Sequence, residues 1–130
     1  MKRDMDMVRD VLLAIEAGNS MNLISLTQSM SISSNEDLQS LVYHLDMLID
    51  QTGFVSGTKA HTMGGKNWLD LNLTWPGHEF LDDIRDPEIW KQTKAGAEKV
   101  GGFSIDLVGA LAKGFLKKKI EQHTGIDLDL

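Results

Sequence analysis

The sequence predicts an α+β fold on three observations. An unbroken apolar stripe at helical spacing covers residues 35–51, an apolar–polar alternation at 68–73 follows a short Phe54-Val55-Ser56 run, and amphipathic patterns lie near both ends. At the N-terminal end Met5, Val8, Leu12 and Ile15 fall three and four residues apart, Asp4 and Asp6 complement the positive end of a helix dipole, and Gly18-Asn19-Ser20 supplies a stop. This sets a first helix at roughly 3–17. Met21–Leu26 alternates only imperfectly through Leu23, Ser25 and Leu26, and reads as a short strand or an extended link. Ser29 to Asn35 is short for a separate middle helix.

Ser33 with Glu36 three residues on has the form of a capping box, and Leu38, Leu41, Val42, Leu45, Leu48 and Ile49 then trace the long stripe as far as Gly53. Beyond it Phe54–Ser56 reads as a strand, residues 57–65 as a loop ending in Gly64-Gly65, and Trp68–Leu73 as a second strand. In that strand Leu69, Leu71 and Leu73 share one face and Asp70 and Asn72 the other, which makes a half-buried hairpin with a long tip. Thr74 caps a short helix holding His78, Phe80, Leu81 and Ile84, with Pro76 tolerated in its first turn, and Asp86-Pro87 opens another with Ile89 and Trp90. After Gly101-Gly102, Ser104 precedes Ile105, Val108, Leu111, Ala112, Phe115 and Leu116 on a last helix reaching Gln122, with Lys113, Lys117, Lys118 and Lys119 on or near its polar side. A frayed tail is expected from Gly125 to Leu130. Helix, optional strand, helix and hairpin is the order of a winged helix-turn-helix-like core with a β-hairpin wing. Residues 1–100 then form that domain and 101–130 an additional C-terminal helix and tail.

Composition narrows the function classes. With 130 residues, 42% of them hydrophobic, the chain can bury a core of its own. It has no cysteine, which removes disulfides, thiolate metal sites and thiol nucleophiles and fits a reducing cytoplasm. The opening MKRDMDMVRD lacks the apolar run of a signal peptide, and no stretch approaches the ~18 apolar residues of a membrane span. A formal charge of −6, from 13 basic and 19 acidic residues, opposes phosphate-driven association with nucleic acid.

Three segments are more specific than their periodicity: MKRDMD at the start, YHLDMLID before Gly53-Phe54, and LTWPGHEFLDDIRDPEIW at 73–90. The last contains Trp75, Gly77, His78, Glu79, Phe80, Asp82, Arg85 and Trp90. With the closing LKKK of the final helix, these resemble an uncharacterised family of small bacterial and prophage-encoded winged-helix proteins, over nearly the whole chain. The resemblance implies a fold and an association with mobile elements rather than a mechanism, because one scaffold hosts many functions.

No constellation carries catalysis. His78 and Asp82 stand at i and i+4, the spacing at which zinc hydrolases present two ligands, but the second histidine is missing and His61 lies in the hairpin loop. Metal hydrolysis therefore ranks last, and no cofactor or metal is expected. Trp68, Trp75 and Trp90 are expected in the core or at its edge rather than as a stacking platform. His44 flanks the apolar stripe and reads as a satisfied, half-buried side chain.

Two surfaces remain. For DNA, the helix at 35–51 would enter the major groove with Lys59, His61 and Lys66 reaching from the wing. Against this, no Lys or Arg lies between Asn19 and Gln51, while Glu36, Asp37, Asp46 and Asp50 would meet phosphates. The alternative is a non-catalytic module that binds a host or phage protein as an adaptor or inhibitor. Its acidic face of Glu36, Asp37, Tyr43, His44, Asp46 and Asp50 suits a basic partner. Gly101-Gly102 would let the last helix swing away from the compact region, and Val108, Leu111, Phe115 and Leu116 are then candidates for a homodimer helix. The same helix is unsuited to a membrane surface, because it lacks tryptophan and its lysines bunch where they complement the dipole.

Overall fold

The computed structural model describes residues 1–63 and 65–125. They form a mixed α+β chain of six helices and one two-stranded antiparallel hairpin, divided into two compact units that meet in sequence between Glu79 and Phe80. No helix among these residues is long and apolar enough to cross a membrane.

The first unit opens with α1 (Met5–Ala17), where the Asp4 carboxylate accepts from the backbone N–H of Asp6 at 2.9 Å and of Met7 at 3.4 Å. The stretch expected to be extended is mostly helical: α2 spans Leu23–Ser29, started by a reciprocal capping box between Asn22 and Ser25. Only Met21 keeps the extended role, in an isolated bridge to Leu71. Seven residues make barely two turns, too few for a helical period to stand out from a short strand. In α3 (Asn35–Asp50) the cap falls one residue later than expected, since Ser34 rather than Ser33 accepts from the Asp37 N–H at 3.0 Å. Its stripe forms the core: Leu41 and Leu45 are 0% exposed and Leu48 2%, and α3 packs on α1 and on the hairpin.

The hairpin departs from expectation in length and phase. Strands β1 (Val55–Thr62) and β2 (Gly65–Leu73) pair as far as Thr62 and Gly65, so most of the expected loop is strand. The outer part of β1 reads Thr58-Lys59-Ala60-His61 and is largely exposed, so no alternation of polarity marked it. A register irregularity lies between Ser56 and Thr58, opposite Asp70 in the left-handed region at φ 54°. This bulge shifts the face: Trp68 and Leu71 are 0% exposed, whereas Leu69 is 42% exposed rather than inward with Leu71.

Helix α4 (Trp75–Ile84) follows β2 directly. The second unit holds its end together with α5 (Pro87–Val100) and α6 (Ile105–Thr124). Asp86 caps α5, accepting from Glu88 N–H at 2.8 Å and Ile89 N–H at 3.1 Å. Gly101 ends it at φ 82°, with Gly102 N–H donating to the Ala97 carbonyl at 3.1 Å. The chain therefore turns sharply into α6, which runs back along α5 with Leu111 and Phe115 over Gly96. Gly125 caps α6; the rest of the expected frayed tail lies outside the described residues.

Candidate functional site

The proposed reading helix and the proposed wing contacts meet each other. Lys59 Nζ lies 2.9 Å from Asp50 Oδ2 and 3.2 Å from Asp46 Oδ1, while Lys66 Nζ lies 3.3 Å from Asp46 Oδ2. The strand register makes this inevitable. Lys59 sits opposite Trp68, so it shares the face that packs on α3, and Lys66 reaches the same face two residues before Trp68. The carboxylates of Asp50 and then Asp46 hold the Lys59 ammonium above its ordinary pKa of 10.5. Two lysines and two aspartates thus cancel at the mouth of this face. His61 is exposed nearer the tip, opposite Lys66. Glu36 and Asp37 are exposed in the first turn of α3, where they complement the helix dipole.

His44 does not belong to that surface. It is completely buried, its Nε2 accepting from the Asp4 N–H at 2.8 Å and its Nδ1–H donating to the Ser40 carbonyl at 2.7 Å. These partners define a neutral imidazole carrying its proton on Nδ1. Half-buried Tyr43 stands edge-on to it, ring centroids 5.4 Å apart. The histidine ties the start of α1 to α3, which is why it interrupts an otherwise apolar stripe.

The signature segment is largely a clasp. Thr74 N–H donates to the Phe54 carbonyl at 3.0 Å, and the Thr74 hydroxyl donates to the Gly53 carbonyl while accepting from Gly77 N–H. Gly77 is buried against Phe54, and a Cβ there would sit 2.0 Å from the Phe54 carbonyl oxygen. Phe80, Leu81 and Ile84 are buried, as is Trp90, with Lys94 Nζ 5.8 Å from its ring centre. His78 Nδ1 is 3.9 Å from Glu16 Oε2, and Asp82 accepts from Arg85 at 2.8 Å, so the i, i+4 pair is engaged with different partners. Among the described residues no three His, Asp or Glu side chains come together as a metal site. Glu79 is exposed.

Trp75 contradicts the expectation for it: it is 78% exposed. The helical wheel contained the signal. Gly77, Phe80, Leu81 and Ile84 mark the inward face, and Trp75, two residues before Gly77, is rotated about 200° from it. Ion pairs in the second unit were also missed, namely Lys113 with Asp83 at 2.9 Å and Lys119 with Asp86 at 2.6 Å. Lys119 and the capped N–H groups of Ile89 and Glu88 hold Asp86 below its ordinary pKa of 3.8. Of the candidate dimer residues Val108 is completely buried in its own chain, and Leu111, Phe115 and Leu116 are half-buried.

Residues 2–104 match a family described as "Hypothetical protein (DUF2513)". An uncharacterized protein of Haemophilus influenzae is 25% identical over 121 residues, covering 92% of this chain and 99% of that protein. No solved structure matches.

Proposed function

The chain belongs to the DUF2513 family, and from that premise we propose that it is a non-catalytic interaction module whose first unit is a winged-helix variant that binds a basic protein partner. The observation that carries this reading is the pairing of Lys59 and Lys66 with Asp46 and Asp50. A winged helix that holds DNA offers those positions to phosphate. Here each lysine would have to leave a carboxylate, and the released aspartates would then repel the backbone it approached. The gain from counterion release is offset on the spot.

Two further features support a protein partner. Trp75 presents an exposed indole on a helix whose phenyl ring, Phe80, is buried, with Glu79 one turn further on, and aromatic anchors of this kind dominate protein interfaces. Residues 1–79 also hold ten of the 19 acidic side chains and only five of the 13 basic ones. The sequence resemblance to prophage-encoded proteins suggests an adaptor or inhibitor acting on a host or phage protein in the cytoplasm.

Transcriptional regulation through DNA is the second reading, favoured by the order of α1, α2, α3 and hairpin and by the exposed tip around His61. One pair of measurements separates them. The tagged full chain should retain a basic protein from host lysate, and Trp75→Ala should abolish retention. In anisotropy titrations random duplex DNA should bind more weakly than the usual ~10⁻⁴ to 10⁻⁶ M at physiological salt. Micromolar DNA binding that weakens on Lys59→Ala with Lys66→Ala would replace the protein reading with the DNA reading.

A further inference from the structure

We propose that Trp75 and Glu79 together form the receptor for an arginine side chain of the protein partner, the guanidinium lying on the indole face and turning its N–H groups to the carboxylate. This rests on the interaction reading above and names the chemistry that the partner brings. The two residues stand at i and i+4 on α4, about 40° apart around the helix, with Cβ atoms ~6 Å apart. Long side chains on a helix lean back over the preceding turn, which puts the Glu79 carboxylate within reach of a cation on the indole. Both residues are exposed, and among the described residues no basic side chain pairs with Glu79. Their base is fixed beforehand. Thr74 and Gly77 clamp the first turn of α4 to Gly53 and Phe54, so little backbone freedom is lost when a partner arrives.

Charge, shape and surroundings choose the occupant. Helix α1 contributes Glu16, whose Oε2 lies 3.9 Å from Nδ1 of His78, so a second carboxylate faces this end of α4. A phosphate or an anionic lipid headgroup brought to the indole would meet both negative charges, which disfavours a stacked nucleotide and a membrane surface. An apolar side chain would find no floor, because the neighbours of Trp75 on the exposed face are His78 and Glu79. Among cations, guanidinium fits the pair best. It is flat, more weakly hydrated than an ammonium, stacks on an aromatic ring and donates to a carboxylate from its edge, whereas the compact ammonium of lysine cannot stack and fork at once.

The three tryptophans give a direct readout, since Trp68 and Trp90 are buried and serve as internal references for Trp75. Titrating the ¹⁵N-labelled full chain with a blocked hexapeptide of three Gly-Arg repeats should move the Trp75 indole N–H signal and the Glu79 amide together, with a midpoint of ~10⁻³ M, and leave the other two indole signals in place. The matching Gly-Lys peptide should bind about threefold more weakly, and the uncharged Gly-citrulline peptide should not bind. Glu79→Gln should weaken the arginine peptide about fivefold at an unchanged urea midpoint, because the side chain is exposed. Glu98→Gln, which removes the same charge from the exposed side of α5, should leave binding as it was. A Trp75 signal that stays still at ~10⁻² M arginine peptide would overturn the proposal. So would equal affinity for the lysine peptide, or an affinity untouched by Glu79→Gln. Each of these results would leave the interaction reading standing, since that is decided by whether Trp75→Ala abolishes retention of a basic protein.

Discussion

At Gly77 the space for any side chain is already taken by a backbone carbonyl. The contact cannot be relieved by a rotamer change, because the Phe54 oxygen is fixed by its bond to Thr74 N–H. We expect Gly77→Ala to cost about 3 kcal/mol, the upper part of the range for overpacking, read as a lower urea midpoint at unchanged slope. The motif around it was legible as a motif, and its purpose was not. A glycine read in sequence names a freedom, whereas the neighbour that demands it comes from another part of the chain. His44 carries the same lesson. Its place on the stripe was visible, but its full burial follows from Asp4, 40 residues away, presenting an unpaired N–H to it.

Among the elements, α3 is the one the chain specifies most strongly, through a cap and an apolar stripe. Leu45→Ala should cost roughly 2 to 5 kcal/mol in urea melts, since the side chain is 0% exposed and packs among residues of α1 and the hairpin. A near-neutral result would mean that this face points outward. Helix α5 supplies a pH test. Asp86 has a folded-state pKa below 3.8, its carboxylate favoured first by Lys119 and then by the Ile89 N–H. Its contribution is therefore complete above about pH 4 and is lost as pH falls through the folded value. Asp86→Asn keeps a capping side chain and removes the charge, so its stability should fall less steeply with acid below pH 4 than that of the parent chain. Identical acid limbs would show that the Lys119 pair contributes nothing to folding.

For the whole molecule, the arrangement of charge matters more than its sum. The sequence expectation of a homodimer through α6 relied on a stripe released by Gly101-Gly102. Those glycines instead close the turn that lays α6 on α5, and Val108 and Ala112 are completely covered. We expect the full chain to sediment as a monomer at tens of micromolar, a range that detects weak association. A dimer abolished by Leu116→Asp would show that the half-buried remainder of the stripe suffices.

The sequence by itself determined the α+β class, the extents of α1, α3 and α6 to within a few residues, the start of α5, and the apolar set of α3, because these rest on local periodicity and capping chemistry. It also carries, over residues 2–104, the match that places the chain in its family. Tertiary structure decided what local patterns cannot encode. A bulge at Asp70 turned Leu69 out of the core, helix α4 turned Trp75 to solvent, and strand register carried Lys59 and Lys66 onto Asp46 and Asp50. The physical reason is common to all three. Each depends on which face of one element meets another, and face assignment is fixed by pairing between residues distant in the chain.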